Sequence, residues 1–309
     1  MKPLLVVNPR AGGGRAGATF GALRPIVERA LGEVDVRFTE APGHGIALAR
    51  AAAEEGREVV VAVGGDGTLH EVANGVLDAR AGATALGFIA QGTGGDFRKS
   101  LGLEHRLDRY LAAIASGRVR SLDAARATFR NADGSPGARW FVNILSAGLG
   151  GKVDRFVADT SRTLPGAAAY FVASARAIAT SEPAHIQCTV EQGGEKIEKR
   201  LEAWAVAVCN GSTFGSWMRV APMASLEDGR LEIVALSAPS KLAFVLLSRK
   251  LYDGSHVDDK GTAHWSGERV ELRSAPGARE AVTLDIDGEP IGELPVTIEV
   301  ARRALRIRA

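Results

Sequence analysis

The chain has 309 residues, of which 46% are hydrophobic and 24% charged, and its formal net charge is only +2. This length favours two domains, and the near-neutral charge excludes a general attraction to nucleic acid. No apolar stretch reaches the roughly 18 uncharged residues that a membrane-spanning helix requires. The first residues lack the features of a signal peptide, and Cys188 and Cys209 have no metal-ligand spacing and need no disulfide bond. We therefore expect a globular, cytoplasmic protein.

Strand and helix signals alternate along the first half of the chain. Short apolar or alternating runs predict four strands, at Leu4–Val7, Val34–Thr39, Val59–Val63 and Leu86–Ala90. Helical spacing of apolar residues predicts three helices, over Phe20–Leu31, 45–55 and Thr68–Ala79. Pro25 lies inside the first helix, where we expect a kink or a restart. Such alternation predicts a parallel sheet with helices on both faces.

The pattern changes after about Leu122, where strand signals dominate. Strands are predicted at Trp140–Leu145, Ile186–Val190, Trp204–Cys209, Leu231–Leu236, Arg269–Leu272, Val282–Ile286, Val296–Val300 and Leu305–Ile307. Helices are predicted near Lys152–Asp159, Ala167–Thr180 and Lys241–Tyr252, and a hairpin loop at Asn131–Ala138. We interpret this half as a β-sandwich with helical insertions. The predicted domains are 1–124 and 125–309, and the last strand is a candidate to return to the first domain.

Three glycine-rich loops follow predicted strands of the first half. The first comprises Asn8, Pro9, Arg10, Ala11, Gly12, Gly13 and Gly14; the second Gly64, Gly65, Asp66, Gly67 and Thr68; the third Gly92, Thr93, Gly94, Gly95, Asp96 and Phe97. In an open α/β sheet, ligands bind beyond the carboxyl ends of the strands. Glycine there lets backbone N–H groups approach phosphate oxygens closely. Together the loops predict a cradle for a triphosphate.

Each loop taken alone is also consistent with a tight turn between a strand and a helix, in which glycine supplies a positive φ. That interpretation suits the first loop, which is neither a Walker motif nor a GxGxxG motif. The second loop is more specific, because Asp66 would repel phosphate groups unless a metal ion lay between them. Carboxylates and phosphates commonly share Mg²⁺ in this way.

Motifs in both halves resemble those of one known family. The segment VVAVGGDGTLHEVANGV, followed about twenty residues later by GTGGDF, is similar to the catalytic domain of bacterial diacylglycerol kinases and their relatives, the sphingosine and ceramide kinases. The second half follows the order of the same family with Asn210-Gly211, Ala221-Pro222-Met223-Ala224, Asp228-Gly229-Arg230-Leu231 and Asp287-Gly288-Glu289. The GGDGT loop alone is shared with NAD kinases and phosphofructokinase-like proteins, whereas the combination is more specific.

The resemblance implies both a fold and a reaction. The fold is a Rossmann-like, three-layer α/β nucleotide-binding domain of the NAD-kinase type, followed by a β-sandwich domain. The reaction transfers a phosphoryl group from ATP, with Mg²⁺, to the hydroxyl group of a lipid at the membrane surface. Glu289 would be the base, and Asp66 would belong to the acidic network near the catalytic metal.

The resemblance also implies two sets of binding residues. The ATP site would comprise Asn8, Pro9, Arg10, Gly12, Gly13, Gly14, Thr39, Gly64, Gly65, Asp66, Gly67, Thr68, Leu69, His70, Gly92, Thr93 and Gly94. A structural Mg²⁺ would be held by the Asp228 carboxylate and by the backbone carbonyl groups of Ser225 and Arg230.

The sequence departs from the family pattern at two places. Gly95 stands where asparagine is usual in the third loop, and Ser216 and Trp217 dilute the usual glycine cluster after Asn210. The apolar residues of this second region, Phe214, Trp217 and Met218, could contact acyl chains or belong to the sandwich core.

Two other functions stay open. One is a small-molecule kinase of the NAD-kinase type, against which the GTGGDF loop and the DGE segment count. The other is a non-catalytic protein that binds lipid or nucleotide, against which the intact acids Asp66, Asp228 and Glu289 count. A homodimer is also left open by the sequence.

Overall fold

A computed structural model of the chain describes residues 2–79, 82–91, 95–131, 133–149, 153, 156, 176–215, 217–278 and 281–309. The helices of this part are α1 (Arg15–Leu31), α2 (His44–Glu54), α3 (Asp66–Asp78), α4 (Asp96–Ser100), α5 (Leu107–Ala115) and α6 (Lys241–Arg249), with a 3-10 helix at Ser255–Asp258. The strands are β1 (Leu4–Val7), β2 (Asp35–Phe38), β3 (Val59–Gly64), β4 (Ala85–Ala90), β5 (Arg120–Arg130), β6 (Pro136–Phe141), β7 (Ile144–Gly148), β8 (Ala184–Gln192), β9 (Glu195–Ala203), β10 (Ala205–Cys209), β11 (Leu231–Leu236), β12 (Thr262–Gly267), β13 (Arg269–Ser274), β14 (Thr283–Ile286) and β15 (Glu289–Ile307). This order confirms the predicted α/β half followed by a β-rich half.

The first four strands are parallel and lie in the order β2-β1-β3-β4. Every residue of β1, β3 and β4 is buried. Because successive side chains of a strand point to opposite faces, this burial means that both faces of the sheet are covered. Parallel strands also end at the same edge, so the glycine-rich loops that follow β1, β3 and β4 leave the sheet side by side.

Helix α1 is longer than predicted and is not interrupted. It begins at Arg15, five residues before the predicted start at Phe20, and Pro25 lies inside it. Proline removes one backbone hydrogen bond from a helix interior. The buried stripe of Phe20, Leu23 and Val27 continues across Pro25, so packing against the sheet maintains the helix.

The sequence prediction missed α4 and α5. Helix α5 buries Tyr110, Leu111 and Ile114, which have the spacing of one helical face, so the signal was present in the sequence. Of the later predicted helices, α6 lies within the predicted range Lys241–Tyr252. Those near Lys152–Asp159 and Ala167–Thr180 fall largely outside the described residues, although residues 176–180 are helical.

Strand β15 joins the two halves of the molecule. Two separate strands were predicted at Val296–Val300 and Leu305–Ile307, but one strand spans both and pairs with β5 from Glu293 to Ile307. Its register shifts between Ala301 and Leu305. The alternation of apolar residues is therefore interrupted there, and the sequence pattern indicates two strands. At its end, Ile307 pairs in parallel with Leu86 of β4.

The predicted strand Trp140–Leu145 is in fact two strands. Strand β6 ends at Phe141 and β7 begins at Ile144. The backbone N–H groups of Val142 and Asn143 donate to the carboxylate of Asp287 at 3.2 and 3.1 Å. The side chain of a distant residue thus replaces the sheet's own hydrogen bonds at this point, and the chain turns.

Three strands were not predicted, namely β5, β9 and β12. Strand β9 has the sequence EKIEKRLEA and is exposed over most of its length. Among the described strands it pairs with β8 alone and therefore lies at an edge of the sheet. A strand that is exposed to solvent on both faces shows little alternation of apolar and polar residues, so sequence periodicity cannot detect it.

Asp123, in β5, is a buried acid whose carboxylate bonds to the backbone of two distant segments. It is 1% exposed, and its carboxylate accepts hydrogen bonds from Gly229 N–H at 2.6 Å and Arg303 N–H at 2.7 Å. Replacing Asp123 with alanine should leave both donors unsatisfied and lower the free energy of unfolding by about 2–4 kcal/mol. Urea denaturation measures this loss. The exposed acid Asp108 is the control, and an equal loss for Asp108→Ala would contradict the prediction.

In the described part of the chain, no helix combines the length and the apolar character needed to cross a bilayer.

Candidate active site

The predicted phosphate loops meet at the carboxyl edge of the parallel sheet. Asn8 N–H donates to Val63 O at 3.0 Å, and Gln91 N–H donates to Gly64 O at 2.7 Å. Gly12 adopts a φ of 61°, and a Cβ atom there would lie 2.6 Å from Gln91 O. Only glycine therefore allows the first loop to approach the segment that leads into the third.

Several other residues of the predicted ATP set lie at this edge. Arg10 N–H donates to Asn8 Oδ1 at 3.0 Å, closing a turn that includes Pro9. Gly13 and Gly14 also adopt positive φ values, and Gly14 caps α1. Thr39 follows β2, and its N–H donates to Val7 O at 2.9 Å. Gly92, Thr93 and Gly94 lie outside the described residues.

The second loop turns directly from β3 into α3. Gly65 has an extended backbone, and α3 begins at Asp66. A Cβ atom on Gly64 would lie 2.3 Å from Thr68 Oγ1, so this turn requires glycine. Thr68 and Leu69 are buried, which leaves the backbone of the loop as its surface toward a ligand.

Asp66 is the acid at the centre of the loops. Its Oδ2 accepts hydrogen bonds from Gly95 N–H at 2.7 Å and from Asp96 N–H at 3.4 Å. Its Oδ1 is buried and has no hydrogen-bond partner among the described residues. Burial raises the pKa of Asp66, and the nearby charges of Asp96 and Asp287 act in the same direction. A cation at Oδ1 would relieve this cost, so the site fits a metal ion.

Gly95 adopts a φ of 75° at the start of α4. Glycine and asparagine both tolerate this left-handed region. The difference from the usual asparagine therefore preserves the backbone that directs the Gly95 N–H toward Asp66.

Asp287 organises the turn that carries Glu289. Its carboxylate accepts from the backbone N–H groups of Val142, Asn143 and Ile144, the last at 2.9 Å. His70 Nδ1 lies 3.0 Å from Asp287 Oδ2, which favours the tautomer with hydrogen on Nδ1. The side chain of His70 thus contacts the DGE turn.

The Asp287 turn presents Glu289 to the second loop. A Cβ atom on Gly67 would lie 3.1 Å from Glu289 Oε1, so the carboxylate lies against this glycine. Glu289 is exposed to solvent as a residue, but partial burial of its carboxyl group raises its pKa. The Arg139 guanidinium opposes this rise in pKa, while the negative charges of Glu71 and Asp287 add to it.

Glu71 is a structural acid that sequence analysis missed. Its two oxygens accept from Gly43 N–H and Gly45 N–H, each at 2.8 Å. These two groups lie at the start of α2, just beyond Thr39. A carboxylate satisfies the free N–H groups of a helix start well, so Glu71 of α3 holds the start of α2 close to the phosphate loops.

The predicted structural metal site lies at a separate turn. Ser225, Asp228 and Arg230 are exposed, and Asp228 Oδ1 accepts from Arg230 N–H at 3.0 Å. Gly229 of the same turn donates to the buried Asp123. One carboxylate and several carbonyl groups are hard oxygen donors of the kind that Mg²⁺ accepts. Within the described ranges, no group of three or more His, Cys, Asp and Glu side chains is arranged to hold a metal ion.

Two family models match the chain. The diacylglycerol kinase catalytic domain matches residues 2–127, which include the three loops. The YegS C-terminal NAD kinase beta sandwich-like domain matches residues 143–309, which include Asp287 and Glu289.

Individual proteins resemble the chain over most of its length. A protein named diacylglycerol kinase from Bacillus subtilis (strain 168) is 27% identical over 272 residues, 87% of this chain and 83% of that protein. A protein named "Probable lipid kinase YegS-like" from Citrobacter koseri is 26% identical over 279 residues, 89% of this chain and 86% of that protein. A solved structure of a diacylglycerol kinase from Bacillus anthracis str. Sterne has a TM-score of 0.70 and 21% identity, and the match covers 99% of this chain and 96% of that one. This last likeness shows the fold.

Proposed function

The chain belongs to the family of diacylglycerol kinases and YegS-like lipid kinases, and from this premise we propose the details of its reaction. It transfers the γ-phosphoryl group of ATP to the hydroxyl group of a diacylglycerol-like lipid. Mg²⁺ accompanies the nucleotide, and Glu289 is the general base.

One observation carries this proposal. The carboxylate of Glu289 lies against Gly67, which is adjacent to Asp66, although more than 200 positions of the sequence separate Glu289 from these two residues. A base that activates a hydroxyl group must lie close to the phosphoryl group that the hydroxyl attacks. The contact supports a single site in which the metal-binding acid and the base face the same phosphate.

Each group of residues in this site would have a separate role. Backbone N–H groups of the three loops would bind the phosphate oxygens. Asp66 would hold Mg²⁺ through Oδ1, and that ion, when bound, neutralises charge that develops on the phosphoryl oxygens. Glu289 would accept the proton of the lipid hydroxyl as its oxygen attacks. Asp287 would keep the turn rigid, so that Glu289 stays in position.

The acceptor also determines where the reaction takes place. A lipid with acyl chains resides in a bilayer, so we propose that the enzyme acts at the membrane surface and binds there peripherally during turnover. Cys188 and Cys209 are buried and unpaired, which suits the reducing cytoplasm.

Product analysis tests the proposed function. The protein is incubated with Mg²⁺, γ-labelled ATP and one acceptor at a time: diacylglycerol, sphingosine, ceramide, a polyprenol or NAD. Thin-layer separation should show a labelled phosphorylated lipid, with Asp66→Asn protein as the inactive control. Labelling of NAD alone would establish the small-molecule alternative. No labelled product with any acceptor would support a non-catalytic binding protein.

We also propose that the turn containing Ser225, Asp228 and Arg230 binds Mg²⁺ without nucleotide. Thermal unfolding should then shift upward with Mg²⁺ in the wild type and in Asp66→Asn protein, because ligand binding stabilises the folded state. The shift should disappear in Asp228→Ala protein. An equal shift in Asp228→Ala protein would show that this turn is an ordinary Asx turn.

A further inference from the structure

Trp217 lies in a short hairpin beside the active site and is poorly covered by protein. The hairpin is closed by Phe214 N–H and Met218 N–H, which donate to Met218 O and Phe214 O at 2.9 and 3.1 Å. Phe214 and Met218 pack against the apolar cluster that contains Trp204. Trp217 is instead 59% exposed. Of the three residues that the sequence left open between core and lipid contact, two pack against the core and one faces outward.

The backbone of Trp217 adopts an unfavourable conformation. Its φ is 88°, in the left-handed region that glycine prefers and that aromatic residues rarely adopt. Strained residues of this kind persist where their surroundings hold them, and they concentrate at functional sites. Glycine at this position would relieve the strain, so a tryptophan here requires an explanation beyond folding.

Two contacts hold Trp217 against the third loop. The backbone N–H of Trp217 donates to Asp96 Oδ1 at 3.2 Å, and Lys99 Nζ lies 3.6 Å from the centre of the indole ring. Lys99 Nζ also donates to Asp96 Oδ1 at 3.0 Å. These contacts fix the ring on the loop segment whose N–H groups donate to Asp66.

One hydrogen-bonded residue therefore separates the exposed ring from the metal-binding acid. The side chain of Asp96 accepts from the backbone N–H of Trp217. The backbone N–H of Asp96 donates to Asp66 Oδ2 at 3.4 Å. A molecule that brings a hydroxyl group to the phosphoryl group near Asp66 must extend its remaining atoms past the residues around Asp66. The exposed ring of Trp217, which Asp96 links to Asp66, is available to contact those atoms.

We propose that Trp217 is an acceptor-binding residue whose indole ring contacts the apolar body of the lipid next to the hydroxyl group that is phosphorylated. The proposal rests on the proposed function and identifies the acceptor side of the same site. Indole suits this position, because its ring packs against acyl chains while its N–H faces the polar boundary of a membrane. The contact would cover apolar surface that the free protein exposes to water.

Kinetics provide the first test. Trp217→Gly removes the ring and suits the positive φ, so the variant should fold. Its KM for the lipid should rise roughly tenfold or more, as expected for loss of a buried aromatic contact, while its KM for ATP stays unchanged. Trp217→Phe keeps an apolar ring and should be nearly normal. Ile197→Ala, at another exposed apolar residue, is the control and should change neither KM.

Fluorescence provides a second test that needs no phosphoryl transfer. Vesicles that contain brominated diacylglycerol are added without ATP, because bromine quenches only tryptophan rings that contact the acyl chains. The wild type should be quenched, and Trp217→Phe protein should lose most of that quenching. Trp204 is buried at 3% exposure and should contribute little. Trp265→Phe protein should be quenched like the wild type.

The two tests separate failure of this inference from failure of the proposed function. A phosphorylated lipid from the wild type, with an unchanged lipid KM in Trp217→Gly protein and no quenching, would overturn the inference alone. A raised KM for ATP in Trp217→Gly protein would indicate that the ring contacts the nucleotide, and this result would also overturn the inference. Quenching without any phosphorylated product would support the lipid contact and contradict the kinase reaction.

Discussion

Asp66→Asn should reduce phosphoryl transfer by at least about 10²–10³-fold, the scale of losing one group that stabilises charge in the transition state. The amide can still accept the hydrogen bond from Gly95 N–H that Asp66 accepts at 2.7 Å. It carries no charge, however, and cannot hold Mg²⁺ at Oδ1. Initial rates with labelled ATP and the accepted lipid measure the effect.

Stability separates this result from a folding defect. Burial raises the pKa of Asp66, which means that the charged carboxylate destabilises the folded state relative to a neutral side chain. Asp66→Asn protein should therefore unfold at the same temperature as the wild type, or at a higher one. Asp78→Asn, at the opposite end of α3, is the matched control and should retain its rate. Near-normal turnover in folded Asp66→Asn protein would reduce Asp66 to a turn residue.

Glu289→Gln should lower the rate by roughly 10²–10⁴-fold, the usual contribution of a general base. Glutamine keeps the shape of the side chain beside Gly67 but cannot accept a proton. The affinity for ATP with Mg²⁺ should change little, because the role proposed for Glu289 concerns the acceptor. Single-turnover rates and nucleotide binding, measured on the same protein, distinguish these two effects.

The pH profile gives an independent test of Glu289. A base acts only when it is deprotonated, so kcat/KM should rise with pH through the pKa of Glu289. Partial desolvation raises that pKa above the ordinary value of 4.5, and the acidic limb should therefore lie above the range of a solvated glutamate. Glu289→Gln protein should lose this limb. Glu293→Gln, at an exposed position of the same strand, should keep both the limb and the rate, and an unchanged profile in Glu289→Gln protein would exclude Glu289 as the base.

The sequence alone determined the α/β half and the nature of its loops. Strands β1, β3 and β4 are continuous apolar runs, because both of their faces are covered, and helices with one apolar face separate them. Such periodic signals come from residues that are close in the sequence, so a single sequence is enough to detect them. Asp66 also stood out in the sequence, since an acid among glycines of a predicted phosphate loop predicts a metal ion. The prediction that Glu289 is a base came from the resemblance, because its own segment is consistent with an ordinary hairpin turn.

The tertiary structure alone decided how the acids are supported. Asp287 breaks a predicted strand by accepting from Val142, Asn143 and Ile144, more than 140 positions away in the chain. Glu71 holds the start of α2 in the same manner. A carboxylate that bonds to distant backbone N–H groups leaves no periodicity in the sequence, because any segment can supply such donors.

The tertiary structure also decided the exposure of Trp217 and the continuity of β15. Residues 214–218 are apolar enough for a core strand, and only the hairpin geometry turns Trp217 outward. The register shift in β15 interrupts its alternation, and only its pairing with β5 shows that the strand continues. Local sequence determines which elements can form, whereas packing between distant segments decides which side chains meet, because the free energy of those contacts depends on both partners.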